Sequence, residues 1–236
     1  MSFAKRLDRL ELLDEPDIPE ADLERNLVEL DVINRYLGGH RITLTGLEYL
    51  LQTPAARNVL RERPLRVCEI GCGGGDNLLV IDRWARNRGL SLEITGVDMK
   101  EVCTRFARRK PWSHPTRWIT DDYRAVPLEA DVIFSSLFCH HFPDKDLPGM
   151  LRWMHERATC GFFINDLHRH PLAYHSIKWL TRVFSKSYLV RNDAPLSVQR
   201  AFRRNDWEGY LSRAGLGQGA VRWQWAFRWL ILVSKS

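Results

Sequence analysis

A glycine-rich run flanked by acids is the first segment whose residue types and spacing suggest chemistry. Residues 69–76 read EIGCGGGD, which places Gly71, Gly73 and Gly75 at alternate positions. Because glycine has no Cβ, such a run lets the backbone turn tightly and lets a ligand lie directly against it. The run lies between a predicted strand and a predicted helix, so we expect a ligand-binding loop here.

Two kinds of ligand commonly occupy such a loop, dinucleotides and S-adenosylmethionine (SAM). A dinucleotide site needs G-x-G-x-x-G/A, so that the pyrophosphate reaches the start of the helix. The third position is Asp76 when counted from Gly71 and Leu78 when counted from Gly73, and neither fits. A carboxylate at position 76 would repel phosphate, whereas SAM carries a sulfonium cation and no phosphate. The loop therefore favours SAM over NAD.

Acidic residues follow the next two predicted strands. Asp98 ends one strand in TGVDM, and Asp122 follows the other in ITDDYRAVP. A carboxylate at a strand end can accept hydrogen bonds from both hydroxyls of a ribose. With the loop, these acids occur in an order and spacing that resemble class I SAM-dependent methyltransferases over about residues 60–165.

This resemblance implies a set of cofactor contacts. The loop would pass beneath the methionine part of SAM, Asp98 would bind the ribose hydroxyls, and Asp122 would face the adenine amino group. Tyr123 departs from the family pattern, which has a small residue there. The expected cofactor-binding residues are Glu69, Gly71, Cys72, Gly73, Gly75, Asn77, Asp98, Met99, Asp122 and Tyr123.

The end of the fourth strand carries two adjacent histidines. Residues 135–144, SSLFCHHFPD, resemble the L-H-H-x-x-D stretch of the methyltransferases of ubiquinone and menaquinone biosynthesis. By that resemblance His140 points toward the methyl acceptor. His141 is expected to be structural and to bond the start of the following helix.

Asp166 and His168 follow at the end of the fifth strand and share one face of an extended segment. A histidine with a pKa near about 6.5 can accept a proton from a phenol or enol. We therefore expect His140, Asp166 and His168 to be catalytic and to face one cavity. Metal ligation by His168, His170 and His175 does not match a well-attested zinc spacing. Loop histidines that are only hydrogen-bonded, and transfer driven by alignment alone, stay open as alternatives.

The elements that position these residues alternate between strands and helices from Arg66 onward. This predicts an α/β fold, a doubly wound Rossmann-like seven-stranded sheet with an N-terminal helical cap. The tail is expected to supply two strands, one of them antiparallel. Predicted strands cover 66–70, 92–97, 117–120, 130–137 and 160–165, and predicted helices cover 20–37, 45–62, 76–88, 101–109, 145–157 and 200–214.

The regions outside the sheet are expected to enclose the methyl acceptor. We divide the chain into a helical cap (1–60) and a SAM-binding methyltransferase domain (61–236) with a lid insertion at about 171–197. Residues 172–186 in the lid show the spacing of an amphipathic helix with a basic side. Trp179 and Tyr188 are expected to line an aromatic pocket, although a surface helix with a solvated basic side is the simpler interpretation.

Composition narrows the classes of protein. The chain has 236 residues, a net charge of +6, 44% hydrophobic residues and five cysteines. No apolar run is long enough to span a bilayer, and the charged N-terminus lacks the apolar stretch of a signal peptide. An odd number of cysteines, mostly on strands, favours small buried side chains over disulfides or a metal cluster. We expect a cytoplasmic protein with no bound metal.

These observations favour SAM-dependent O-methylation, or C-methylation, of an aromatic, polyketide-like or quinone-type small molecule. No specific nucleic-acid partner is expected, although residues 167–213 hold 9 Lys and Arg against 3 acids. A transient contact with a membrane surface stays open, and the sequence does not indicate an oligomeric state. The alternatives are an RNA or protein methyltransferase, a non-catalytic SAM-binding protein and an NAD-dependent oxidoreductase.

Overall fold

The change from helical to strand periodicity near residue 65 marks the start of the sheet. The computed structural model describes residues 3–235; residues 1, 2 and 236 of the predicted cap and domain lie outside them. The strands are β1 (Leu65–Ile70), β2 (Leu92–Asp98), β3 (Thr116–Thr120), β4 (Ala130–Ser136), β5 (Ala158–Leu167), β6 (Ala220–Gln224) and β7 (Arg228–Ser234). The helices are α1 (Glu20–Tyr36), α2 (Gly39–Leu51), α3 (Pro54–Glu62), α4 (Asp76–Arg86), α5 (Glu101–Arg108), α6 (Leu147–Arg157), α7 (Pro171–Phe184), α8 (Tyr188–Arg200) and α9 (Arg204–Arg213).

Within the described residues the strands form one seven-stranded sheet in the order β3-β2-β1-β4-β5-β7-β6. β7 runs antiparallel to both β5 and β6, and the other neighbouring strands pair in parallel. The strand order reverses between β1 and β4, which opens a crevice at the carboxyl ends of the strands. The predicted fold class is confirmed, including the single antiparallel strand.

Helices cover both faces of the sheet because its central strands are apolar on both sides. All seven residues of β4 are buried. One face packs under α6 and α9, and the other packs under α2, α3 and α4. At Gly46 of α2, an added Cβ would lie 2.6 Å from the ring of Phe163, so the missing side chain lets this helix lie directly on β5. The N-terminal helices are therefore part of the core.

Most predicted boundaries agree with the structure to within a few residues, but the helix predicted over 45–62 is wrong. It is two helices, α2 and α3, separated at Thr53. Pro54 cannot donate the hydrogen bond that a continuous helix needs, and it occupies the first turn of α3 instead. The Thr53 side chain caps that turn by accepting from the Ala56 N–H at 3.3 Å. The helix predicted from residue 200 begins at Arg204.

The five cysteines are free and buried, as small apolar side chains would be. Among the residues that the structure describes, no helix combines the length and the hydropathy required to cross a bilayer.

Candidate active site

The glycine loop after β1 has a backbone that glycine alone adopts easily. Gly71 has φ 65°, and an added Cβ there would lie 2.1 Å from the ring of Phe138. The loop is fixed to the end of β2 by Asp98, whose carboxylate accepts the N–H of Gly73 at 2.8 Å and the N–H of Lys100 at 2.9 Å. Burial raises the pKa of Asp98, and these two donors oppose that shift. The structure thus brings the loop and Asp98 together.

Glu69, the penultimate residue of β1, lies next to the glycine loop and is 1% exposed. Asn77 donates to its Oε1 at 3.2 Å, and the Thr43 hydroxyl of α2 donates to Asn77 at 3.0 Å. Burial raises the pKa of Glu69 well above its usual value. Among the described residues, its Oε2 has no hydrogen-bond partner. One carboxyl oxygen of Glu69 is therefore left for a partner that the described residues do not supply.

Other predicted cofactor residues have mixed surroundings. Cys72 is buried, whereas Met99 is 73% exposed. Asp122 forms an ion pair with Arg124 that lowers the pKa of its carboxyl. The Tyr123 side chain is buried, with its ring edge-to-face with Trp153 at 5.0 Å. The structure therefore leaves this tyrosine ring in the core.

Asp76 also differs from its expected role. From the sequence, its carboxylate is expected to repel phosphate, but in the structure it forms an ion pair with Lys110. Burial raises the pKa of Asp76, and Lys110 opposes that shift. The electrostatic part of the argument against a dinucleotide is therefore weaker than predicted. The spacing of the glycines still stands against one.

His140 and Asp166 form a buried pair at the ends of β4 and β5. His140 Nδ1 lies 2.8 Å from Asp166 Oδ1, and these residues are 2% and 0% exposed. Burial works to raise the pKa of Asp166, but His140, the backbone N–H of Leu167 and His141 together outweigh it, so the pKa is lowered. An ionised carboxylate can only accept, so Nδ1 of His140 carries the proton that points at Asp166. In the neutral form of the ring, Nε2 then carries the lone pair. The predicted juxtaposition of these two residues is present.

His168 does not lie with this pair. Its ring packs against Trp229, 4.9 Å between centroids, and His170, 5.4 Å away. It is absent from the lining of the cavity described below. The segment at Phe202, which forms a β-bridge with His168, covers this part of the sheet. Burial lowers the pKa of His168 to about 4.

The expectation that His141 bonds the start of the following helix is wrong. Its Nδ1 lies 2.9 Å from Oδ1 of Asp14, which ends the 3-10 turn Leu12–Asp14. Its Nε2 lies 3.8 Å from Glu11 Oε2. The N-terminal segment packs over the end of β4, so its acidic residues contact the His141 side chain in place of the next helix.

Glu11 is a site residue that the sequence argument missed. It is 3% exposed, and its Oε1 lies 3.5 Å from His140 Nε2. The Ser197 hydroxyl donates to it at 2.8 Å, and Arg200 Nε lies 3.8 Å away. Burial raises the pKa of Glu11 to about 7. Its three-residue spacing from Asp14 is the only local signal, and it is too common to single out.

A mostly apolar cavity of about 460 Å³ lies beyond these histidines, at the carboxyl ends of β4 and β5. α1, α7 and the β6–β7 turn supply most of its apolar wall, which includes Leu30, Ile33, Leu37, Ala173, Ile177, Leu180, Trp223, Trp225 and Phe227. Glu11, His140, His141 and Arg228 lie among its polar residues. Trp179 and Tyr188, predicted to line the pocket, are 62% and 49% exposed instead. α7 turns a different face toward the cavity.

Backbone strain is concentrated at this cavity. Within residues 3–235, the non-glycine residues with positive φ are Leu137 (53°), Ala226 (64°) and Phe227 (57°). All three line the cavity. Left-handed backbone at non-glycine residues costs of the order of 1 kcal/mol each and is concentrated at functional sites.

Arg228 is a second residue that the sequence argument missed. It is 2% exposed, and its neutral partners are Asn34 at 2.8 Å and Asn165 at 3.4 Å. Burial lowers its pKa to about 10. Among the described residues it forms no ion pair. The cavity wall thus includes a guanidinium whose charge is not compensated directly.

A wider depression of about 960 Å³ lies at the opposite edge of the sheet. Charged residues at the amino ends of the strands, such as Arg66, Glu93 and Arg117, line it. None of the predicted site residues lies there. Parallel sheets of this kind bind ligands at the carboxyl ends, so we assign the active site to the smaller cavity.

Comparisons with known proteins bear on the fold and on the class of enzyme. Residues 67–161 match a family described as a methyltransferase domain. No curated protein sequence matches the chain. Magnesium protoporphyrin IX methyltransferase from Synechocystis PCC 6803, solved with S-adenosylhomocysteine (SAH), has a TM-score of 0.58 at 16% identity, covering 92% of this chain and 94% of that one.

Two further solved structures share the fold. The plantazolicin methyltransferase with bound SAH has a TM-score of 0.59 at 20% identity, covering 85% of this chain and 70% of that one. Human N-acetylserotonin methyltransferase with bound SAM has a TM-score of 0.61 at 16% identity, covering 92% of this chain and 57% of that one. The fold, the glycine loop and the family match define the class: the chain is a SAM-dependent methyltransferase.

Proposed function

We propose that the protein transfers a methyl group from SAM to a hydroxyl oxygen of an aromatic, polyketide-like or quinone-type small molecule. C-methylation of the same kind of acceptor is the nearest alternative. The observation that supports this proposal most strongly is the apolar cavity with the buried His140–Asp166 pair at one end. Enclosed apolar walls with a few polar groups fit a small, largely hydrophobic acceptor. The neighbours are named for magnesium protoporphyrin IX, plantazolicin and N-acetylserotonin.

The residues around the loop fit SAM. The unpartnered Oε2 of Glu69 suits a donor such as the amino group of the methionine part. The carboxylate of Asp98 lies at the end of β2, where it can accept hydrogen bonds from the ribose hydroxyls. Gly71 leaves space that a Cβ would fill. We assign cofactor binding to this loop, with Asn77 positioning Glu69, and SAM supplies a methyl group on a sulfonium leaving group.

His140 is the proposed general base, and Asp166 is its positioning residue. Because Asp166 holds the Nδ1 proton, the Nε2 lone pair is free to accept the proton of an acceptor hydroxyl in the cavity. The 2% exposure of His140 keeps water away from that nitrogen. Deprotonation makes the hydroxyl a stronger nucleophile, while the cavity walls align it. His168 does not contribute a base in this arrangement.

The cap and the lid insertion would close the site around the acceptor. Gly46 of the cap packs on β5, and α7 and α8 of the lid insertion line the cavity. We propose that the cap and the lid insertion exclude water during transfer.

The outer side of α7 suits a weak contact with an anionic membrane surface. Leu172, Trp179 and Val183 are 62%, 62% and 53% exposed and lie on one face of this helix. Lys178 and Arg182 lie beside them and are basic. An apolar stripe flanked by cations is typical of helices that lie in the interface of an anionic bilayer. Such a contact would bring an apolar acceptor to the cavity.

An acceptor panel tests the proposal. The protein is incubated with SAM carrying an isotope-labelled methyl group and with phenols that do or do not bear an alkyl chain. Structured RNA and a protein mixture serve as competing acceptors. We expect methyl ethers of alkyl-substituted phenols, identified by mass spectrometry and NMR. Label in RNA or protein, with none in the phenols, would replace the proposed acceptor class.

A further inference from the structure

We propose that Glu11, His140 and His141 bind a divalent transition-metal ion. Each residue offers one ligand atom, and the three atoms lie within 4.8 Å of one another. They come from an N-terminal turn and from the end of β4, and all three residues line the cavity. Two imidazoles and one carboxylate are a known ligand set for catalytic zinc, which keeps one position open.

The contacts behind the two imidazoles are those expected of metal ligands. His140 Nδ1 contacts Asp166 at 2.8 Å, and His141 Nδ1 contacts Asp14 at 2.9 Å. A metal-ligating histidine commonly gives its second ring N–H to a carboxylate, which fixes the ring and raises its basicity. Both rings therefore present Nε2 to the same place, beside Glu11.

The arrangement on that side calls for a cation. With Nδ1 protonated, a neutral imidazole has only a lone pair at Nε2. The two Nε2 atoms lie 3.5 Å and 3.8 Å from the oxygens of Glu11. These distances are too long for direct hydrogen bonds, so the three side chains face one another without bonding. A metal ion among the three atoms would coordinate all of them.

The surrounding charge also suits a divalent ion. Glu11, Asp14 and Asp166 are three carboxylates around two imidazoles, and one guanidinium, Arg200, lies 3.8 Å from Glu11 and 3.4 Å from Asp14. Carboxylates outnumber the guanidinium in this cluster, and a bound cation would offset that excess.

A metal ion at this position would change how the acceptor is activated. It would occupy the Nε2 lone pair of His140 and would favour the anionic form of an acceptor hydroxyl through its charge. This consequence depends on the proposed function, whereas metal binding does not. The two mechanisms differ at His141, which the general-base mechanism does not need and the metal mechanism requires.

Calorimetric titration with Zn²⁺ after chelator treatment tests the site. We expect the wild-type protein to bind one equivalent. Glu11→Gln and His141→Ala should each weaken binding by at least about tenfold, and Asp14→Asn, behind a ligand, by about 10–100-fold. His175→Ala is the matched control, because His175 is an exposed histidine on α7 and should bind as wild type does. Co²⁺ should give the visible absorption of a tetrahedral site.

Several results would overturn the proposal: no stoichiometric Zn²⁺ binding, or binding that Glu11→Gln and His141→Ala leave unchanged while circular dichroism shows folded variants. Titration with SAH on the same samples separates this proposal from the proposed function. Methyl transfer by a protein that binds SAH but no Zn²⁺ would remove the metal site and keep the methyltransferase mechanism. Zn²⁺ binding without transfer to any phenol would keep the site and remove the acceptor class.

Discussion

The two sides of the crevice are built in different ways. On the cofactor side, Glu69, the glycine loop and Asp98 follow one another along β1 and β2, and backbone N–H groups hold Asp98. On the acceptor side, the polar residues Glu11, His140 and Arg228 come from distant parts of the chain. Contacts between side chains keep them in position, such as Glu11 with His140 and Arg228 with Asn34. A binding loop can thus be made locally, whereas the acceptor cavity requires the whole fold.

This difference predicts that chemistry and cofactor binding can be impaired separately. The largest effect belongs to the acceptor side. His140→Ala removes the proposed base and should lower turnover by about 10²–10⁴-fold, while SAH affinity changes less than about twofold. Steady-state kinetics and calorimetry measure the two quantities. Asp166→Asn should give a comparable loss, because an amide cannot hold the Nδ1 proton as a carboxylate does.

If turnover of His140→Ala falls only slightly and the loss is in acceptor KM, alignment alone drives transfer. A loss of SAH affinity equal to the loss of turnover would show that the two sides are not separable.

The next effect belongs to the cofactor side. Asp98→Asn keeps the size of the side chain but removes a carboxylate that pins the loop, so we expect SAH to bind with about 1–3 kcal/mol less free energy. Asp122→Asn is the control, because Asp122 already pairs with Arg124 at a surface site and should cost about 0.5 kcal/mol or less. Calorimetry checks both. If both variants lose the same free energy of SAH binding, Asp122 contacts the cofactor directly in spite of its ion pair with Arg124.

A smaller effect concerns the pH dependence of stability. His168 has a folded pKa of about 4, below its unfolded value of 6.5. The contribution of the neutral ring to the free energy of unfolding is therefore present above pH 6.5 and is lost as the pH falls toward 4. Over that pH range the wild type should lose about 1–2 kcal/mol more unfolding free energy than His168→Gln does. A fully buried histidine would give a larger difference. Urea unfolding measures this.

His175→Gln is the control for His168, because it replaces an exposed histidine on α7 by the same residue type. A flat difference between wild type and His168→Gln would mean that the ring titrates normally. Retained turnover in His168→Gln is also expected, because the ring packs against Trp229 outside the cavity.

The smallest effect lies on the outer face of the lid. Trp179→Ala should change the free energy of unfolding by no more than about 0.5 kcal/mol, because the side chain is 62% exposed. The same variant should bind vesicles of anionic lipid more weakly than wild type in a sedimentation assay. Leu180→Ala, on the cavity face of the same helix, should instead raise acceptor KM. Unchanged vesicle binding in Trp179→Ala would remove the membrane contact.

The comparison also explains which parts of the molecule the sequence could predict. The sheet, its reversal and the glycine loop follow from local periodicity and from motifs within single strand–loop–helix units. Glu11 and Arg228 had no such signal. The role of Glu11 arises only where the N-terminal turn meets the end of β4, and that of Arg228 only where β7 meets β5 and α1. The α2–α3 break was accessible, since Thr53 and Pro54 are a cap and a first-turn residue. His168 follows the strand periodicity, but only the tertiary fold shows that Phe202 and Trp229 enclose it.

A crystal structure with SAH tests the central claim most directly, that the cofactor loop and the acceptor cavity meet at the end of β4. We expect the adenosyl part beside Asp98, the amino acid part over residues 71–75, and the sulfur facing the cavity beside His140. SAH bound elsewhere, or with its sulfur separated from the cavity by protein, would contradict it.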